Sequence, residues 1–140
     1  MLRILIGATL IALLSLAQFN TALYAQQAQQ ASVPAEIRMN IIGTIGAKPE
    51  TVEIAQVGNI ITVLRINSYM NESTHGGRDN EANAIAPIVA KDISGNEKSK
   101  NVNTIRVQYV IRSASGTTNK IIDTIDFRKS PSGNFELHKT

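Results

Sequence analysis

The 140-residue chain contains no cysteine and no tryptophan. Without cysteine, neither a disulfide framework nor a thiolate-ligated metal is possible. Without tryptophan, and with only three Tyr and three Phe, the core has to be built from Ile, Val, Leu and Ala. Flat platforms for stacking bases or sugar rings are correspondingly scarce. Histidine occurs twice, at His75 and His138, and the two are not paired at the spacing of a helical zinc site. No G-x-S-x-G elbow is present, and Ser113, Ser115, Ser130 and Ser132 stand beside Gly or Pro where turn chemistry accounts for them. Gly76 and Gly77 form a lone pair rather than a phosphate-cradling loop.

Charge of either sign is also modest. The formal net charge is +3, and +2 once Arg3 is set aside with the leader described below, too little by itself to draw a polyanion. The distribution is uneven. Residues 26–90 carry four basic and six acidic side chains, a net of −2, and residues 91–140 carry nine and five, a net of +4. An anionic partner would meet the C-terminal half.

What is present begins with a leader. Met1, Leu2 and Arg3 precede ILIGATLIALLSLA, an apolar run of 14 residues, then QFNTALYA and QQAQQ. That run is short for a bilayer span, which needs about 20 apolar residues. Residues 1–25 are therefore expected to be a secretory signal peptide cleaved after Ala25, although Leu23 is larger than the usual residue at its position. The alternative is an uncleaved N-terminal anchor, and both readings export the domain to the periplasm or the exterior. Residues 26–33 are expected to be a disordered polar spacer and residues 34–140 a single domain, a length that can bury a core without staples.

Within that domain Pro34 suits a first helical turn, Glu36 lies in it, and Ile37, Ile41 and Ile45 recur every four residues. A helix ending near Gly43 or Gly46 is predicted, although Ile37, Met39, Ile41 and Ile45 also fit a strand. Glu50 to Ser68 reads as a hairpin. A three-residue turn, Val57 to Asn59, would pair Gln56 with Ile60, Ile54 with Thr62 and Val52 with Leu64. It places Val52, Ile54, Ile60, Leu64 and Ile66 inward and Glu53, Arg65 and Asn67 outward. Tyr69 to Asn80 (YMNESTHGGRDN) lacks periodicity and reads as a long loop. Asp79 or Asn80 would cap a helix with the stripe Ala82, Ile85, Ala86, Val89 and Ala90, kinked or split at Pro87. Thr104 to Arg128 reads as a central hairpin with Ile105, Val107, Tyr109 and Ile111 on one face of its first strand and Ile121, Ile125 and Phe127 on one face of its second. FELHKT supplies a last strand, with Phe135 and Leu137 inward. The order helix, two strands, helix, three strands predicts an α+β fold, a small antiparallel sheet of about five strands with helices packed on one face.

The first helix, the VGNIITVLRI strand and a second helix with Arg78, Ala82, Ile85, Ala86 and Val89 resemble, over roughly residues 34–110, the BON modules of exported bacterial proteins. The chain departs from them in YMNESTHGGRDN, Pro87, the charged linker after Asp92 and two further strands. No family is assigned on this resemblance, and no functional residue is carried over.

The candidate catalytic residues are His75 and Asp79 in the 69–80 loop, where Asp79, Asn80 and Glu81 could orient an imidazole or offer oxygen ligands. The bland reading is a solvated histidine beside a capping acid. Asp123 falls on the apolar side of its strand, where it must reach water, pair with a base or be turned outward by a bulge. Arg106, Arg112 and Arg128 form a candidate ligand-binding face for a carboxylate, phosphate or anionic glycan, against the plainer reading of a solvated strand face. No metal site, cofactor or nucleic-acid partner is expected, nor membrane contact beyond the leader. The expected partner is a protein or an anionic cell-surface ligand. The sequence thus predicts an exported non-enzymatic binding or accessory domain, with a hydrolase or metal-dependent enzyme centred on His75 and Asp79 as the alternative. Convergence of His75, Asp79 and Asp123 in one cleft would contradict the first reading.

Overall fold

The structure, a computed structural model, describes residues 33–138. The signal peptide, its cleavage site and the spacer through residue 32 lie outside the described residues. Helix α1 spans Val33–Ile45, strand β1 Val52–Val57, β2 Ile60–Ile66, helix α2 His75–Ser94, β3 Thr104–Arg112, β4 Asn119–Lys129 and β5 Phe135–His138. Val33, assigned above to the spacer, is the buried first residue of α1. The helix stops at Gly46, whose φ of +64° is the left-handed conformation that ends helices. Its Ile37 and Ile41 are wholly buried, so the four-residue period marks a helix face.

The fold is α+β: a five-stranded sheet in the order β1-β2-β3-β4-β5, with both helices against it. It is mixed rather than purely antiparallel, because β2 and β3 run parallel, Ile61 beside Ile105 and Val63 beside Val107. The other three neighbouring pairs are antiparallel. The reason lies in the connection: β2 returns to the sheet through a helix, and such a crossover leaves the next strand parallel.

The first hairpin also differs from the expected register. Val57 pairs with Ile60, Gln56 with Ile61, Ile54 with Val63 and Val52 with Arg65, around a two-residue turn. Gly58 at the first central position has φ +58°, the positive value that a turn matched to strand twist requires there. The shift of one residue moves every side chain of β2 to the other face. Ile61, Val63 and Arg65 are buried inward, and Ile60, Thr62 and Leu64 look outward. The inward positions of β2 and β3 complete one cluster with Ile37, Ile41, Ile85 and Val89 from the helices. Burying each such aliphatic side chain favours folding by ~1.5–3 kcal/mol.

Arg65 is 1% exposed, and its guanidinium is fully engaged. Nε and Nη2 each donate to a carboxylate oxygen of Glu81 on α2 at 3.0 Å, and Nη1 donates to Thr51 Oγ1 at 2.9 Å and Thr51 O at 3.2 Å. Among the described residues no buried side-chain nitrogen or oxygen lacks a partner. A polar residue on the inner face is therefore tolerated because its charge is matched and its donors satisfied. Beside it Tyr109 donates its hydroxyl to the Arg78 carbonyl at 2.9 Å. Burial, then the Glu81 carboxylate, pushes the Tyr109 phenol far above its ordinary range, so it remains a donor.

Removing one partner of the buried pair leaves the other charge stranded. Arg65→Ala is expected to cost about 3–5 kcal/mol in urea unfolding, whereas the paired replacement Arg65→Met with Glu81→Leu should cost much less. A larger loss in the double variant would contradict this account of β2.

Candidate functional site

The segment Tyr69 to Asn80 is a short 3-10 turn, Tyr69–Glu72, followed by the start of α2, so His75 and Asp79 stand on a helix and not in a loop. Thr74 is the N-cap, its Oγ1 accepting from the Gly77 amide at 3.2 Å. This position replaces the expected cap at Asp79 or Asn80. A methyl group at Gly77 would lie 2.1 Å from Ser73 Oγ, so a larger residue there would have to turn that hydroxyl aside. Gly77 thus marks the close approach of a preceding turn to a helix start. Pro87 does not split the helix, which is assigned continuously to Ser94.

The helix brings His75 and Asp79 to β4. His75 Nδ1 lies 2.6 Å from Asp123 Oδ2, and its Nε2 lies 3.5 Å from Asp79 Oδ2. Arg78 Nε donates to the same Asp123 oxygen at 2.7 Å. The other Asp123 oxygen accepts from the Thr124 amide at 2.9 Å. His75 thus meets both Asp79 and Asp123, on an open surface and not in a cleft. Sequence reasoning missed Arg78, the residue that pairs Asp123 from the helix side. A β-bulge does occur beside Asp123: Tyr109 pairs with Asp123 and Val110 with Ile121, leaving Ile122 as the extra residue. It leaves Asp123 on the helix side and turns Ile121 outward, 55% exposed, with Ile111 also exposed.

The cluster is open to water, since the His75 side chain is 65% exposed, and none of the three cavities of about 320–420 Å³ is lined by its members. The hydrogen bond and charge of Asp123, then the charge of Asp79, hold His75 above its ordinary value. Burial pushes Asp123 upward, but hydrogen bonds from His75 and Arg78 outweigh it and hold the carboxyl low. The two ring nitrogens face opposite ways, so Asp123 and Asp79 cannot meet on one ion beside the ring. Among the described residues no three His, Cys, Asp or Glu side chains are grouped to hold a metal. The arrangement suits a cationic imidazole tying the first turn of α2 to β4.

The outward face of the sheet carries the arginines. Arg106 makes a two-point contact with Asp126 at 2.8 and 2.8 Å, and Arg112 reaches across β2 to Glu53 at 2.5 and 2.9 Å. Those hydrogen bonds hold both Asp126 and Glu53 below the usual carboxylate range. Arg106 and Arg112 are thus committed to acids on other strands, Asp126 on adjacent β4 and Glu53 on β1. Arg128 and Lys129 line a cavity of about 320 Å³ with Arg106 and Asp126.

A different concavity lies at the far half of α2. Ala86, Pro87 and Ala90 face Phe127, Phe135 and Leu137 across a space of about 330 Å³. A second space of about 420 Å³ shares Ala90, Asn134 and Phe135 with the first and adds Lys91, Lys100 and Lys129. Lys129 Nζ sits 6.0 Å from the centre of the Phe135 ring. The groove was not legible in the sequence, because Phe135 and Leu137 were assigned inward without a view of what α2 leaves uncovered.

No family model matches the chain, and no curated protein is similar to it.

The raised His75 value fixes a sign. Its contribution to stability is present in full below the unfolded value of about 6.5 and is lost as pH rises through the folded value. His75→Ala should be less stable than the parent at pH 5.5, with the gap closing by pH 8.5. In NMR titration His75 should have a midpoint above 6.5 that falls in Asp123→Asn; an unchanged midpoint would contradict the pairing.

Proposed function

We propose that the chain is a small exported, non-enzymatic binding domain, carried out of the cytoplasm by its leader and working through the groove between α2 and the β4–β5 edge. The observation that carries the reading is the composition of that groove: Ala, Pro, Phe and Leu side chains with Asn83 and Asn134 among them, three lysines in its second space and no carboxylate among the residues lining it. Ligand pockets combine such an apolar lining with a few placed polar groups. The groove lies along the C-terminal half of α2, away from His75 at the helix start. His75, Arg78 and Asp123 act in this reading as a clamp that holds the helix.

A second reading is favoured by one distance, the 2.6 Å contact between His75 and Asp123, which is the way a carboxylate orients an imidazole in hydrolases. In that reading Nε2 would have to leave Asp79 to take a proton from water or a substrate hydroxyl. Arg78 opposes such a base by sharing the Asp123 oxygen and neutralising it.

The two readings separate by experiment. Ester, phosphoester and peptide substrates, with and without added divalent metals, should show no turnover that depends on His75 or Asp79. Turnover abolished by His75→Ala or Asp79→Ala would replace the binding reading with the hydrolytic one. N-terminal sequencing of the exported protein should begin at Gln26; recovery of the unprocessed chain from the cytosol would remove the export half of the proposal.

A further inference from the structure

The groove also indicates the class of its ligand. Its two spaces differ in character. The one beside Pro87 is walled by Ala86, Ala90, Phe127, Phe135 and Leu137 together with Asn83 and Asn134, and is lined by no charged residue. The one beyond Ala90 has three lysines in its lining and no acid. Ala90, Asn134 and Phe135 belong to both, so the two spaces adjoin, one uncharged and the other cationic.

The lysines are not equivalent. Lys100 contacts Glu97 at 3.1 Å, whereas neither Lys91 nor Lys129 makes a salt bridge among the described residues. Lys129 is held over the face of Phe135, which places an ammonium where the apolar wall ends. Helix α2 presents small residues here, and Pro87 supplies a compact ring, so the sheet aromatics are reached from the side. The sizes, about 330 and 420 Å³, fit a small molecule.

Resting on the reading of this groove as the binding site, we propose that its ligand is a monoanionic amphiphile of the fatty-acid class. Its alkyl chain lies on Pro87, Phe135 and Leu137, above the buried Phe127, and its carboxylate pairs with Lys91 and Lys129. The amphiphile fits both ends at once. A purely apolar guest leaves the lysines unused, and a purely ionic one leaves the aromatic wall unused. A cationic amphiphile meets like charge at the mouth.

The probes are decanoate, decylamine and decanol, titrated at fixed ionic strength against the exported protein, with side-chain NMR of Ala86, Ala90, Phe127, Phe135 and Leu137 as the readout. Decanoate should shift these resonances saturably and bind at least tenfold tighter than decylamine. The double variant Lys91→Gln, Lys129→Gln should lose that preference while its decanol affinity stays unchanged; both lysines are exposed, so the fold is retained. Equal affinity for the three probes at the groove would overturn the anionic class and leave the groove standing as a binding site. Failure of every probe to move the groove resonances would overturn both.

Discussion

The buried pair between Arg65 on β2 and Glu81 on α2 is the constraint from which the rest of the structure follows. A guanidinium 1% exposed cannot sit beneath a helix unless the opposing carboxylate arrives in register, so the pair fixes both the rotation of α2 and its position along the sheet. With Glu81 so placed, the stripe Ala82, Ile85, Ala86, Val89 and Ile93 faces the core. Arg78 and His75, about one and two turns earlier, then meet Asp123. Tyr109 adds a hydroxyl bond to the same stretch of helix. The far half of the helix passes over β4 and β5, where its small residues leave the groove.

How much of this was legible in the sequence depends on whether local or distant partners decided each feature. Helix α1 was readable because its signals are local: Pro34 at the start, isoleucines every four residues and Gly46 at the stop. The central hairpin was readable because its strands alternate with a period of two; Ile121 and Ile122 exchange the expected faces where the bulge at Ile122 breaks that period, and Ile111 at the strand end is exposed. The register of the first hairpin was misjudged because the apolar residues of β2 occur at consecutive positions, so either face could be made inward. Arg65 looked like an outward residue, and its partner lies on another element. The direction of β3 was misjudged for a related reason: strand pairing depends on what the intervening helix does.

The candidate site divides in the same way. Asp123 was recognisable as an acid in an apolar row needing a partner, and the structure supplies Arg78 and His75. The segment that seemed a loop is instead a 3-10 turn and the capped start of α2, where Gly77 leaves room for the Ser73 side chain. The arginine face was visible in the sequence, but the acids that occupy Arg106 and Arg112 come from β4 and β1. The groove had no local signature at all. It arises because two helices cover five strands incompletely, and its lining joins residues from α2, β4 and β5.

Holding α2 in place is what connects the buried pair to the groove, and native-state hydrogen exchange reads that connection residue by residue. In Arg65→Leu, amides across α2, including those around Val89 and Ile93 several turns from Glu81, should lose protection together while β4 keeps most of its own. Loss confined to β2, or protection of α2 unchanged from the parent protein, would contradict the claim that this one pair sets the helix upon the sheet.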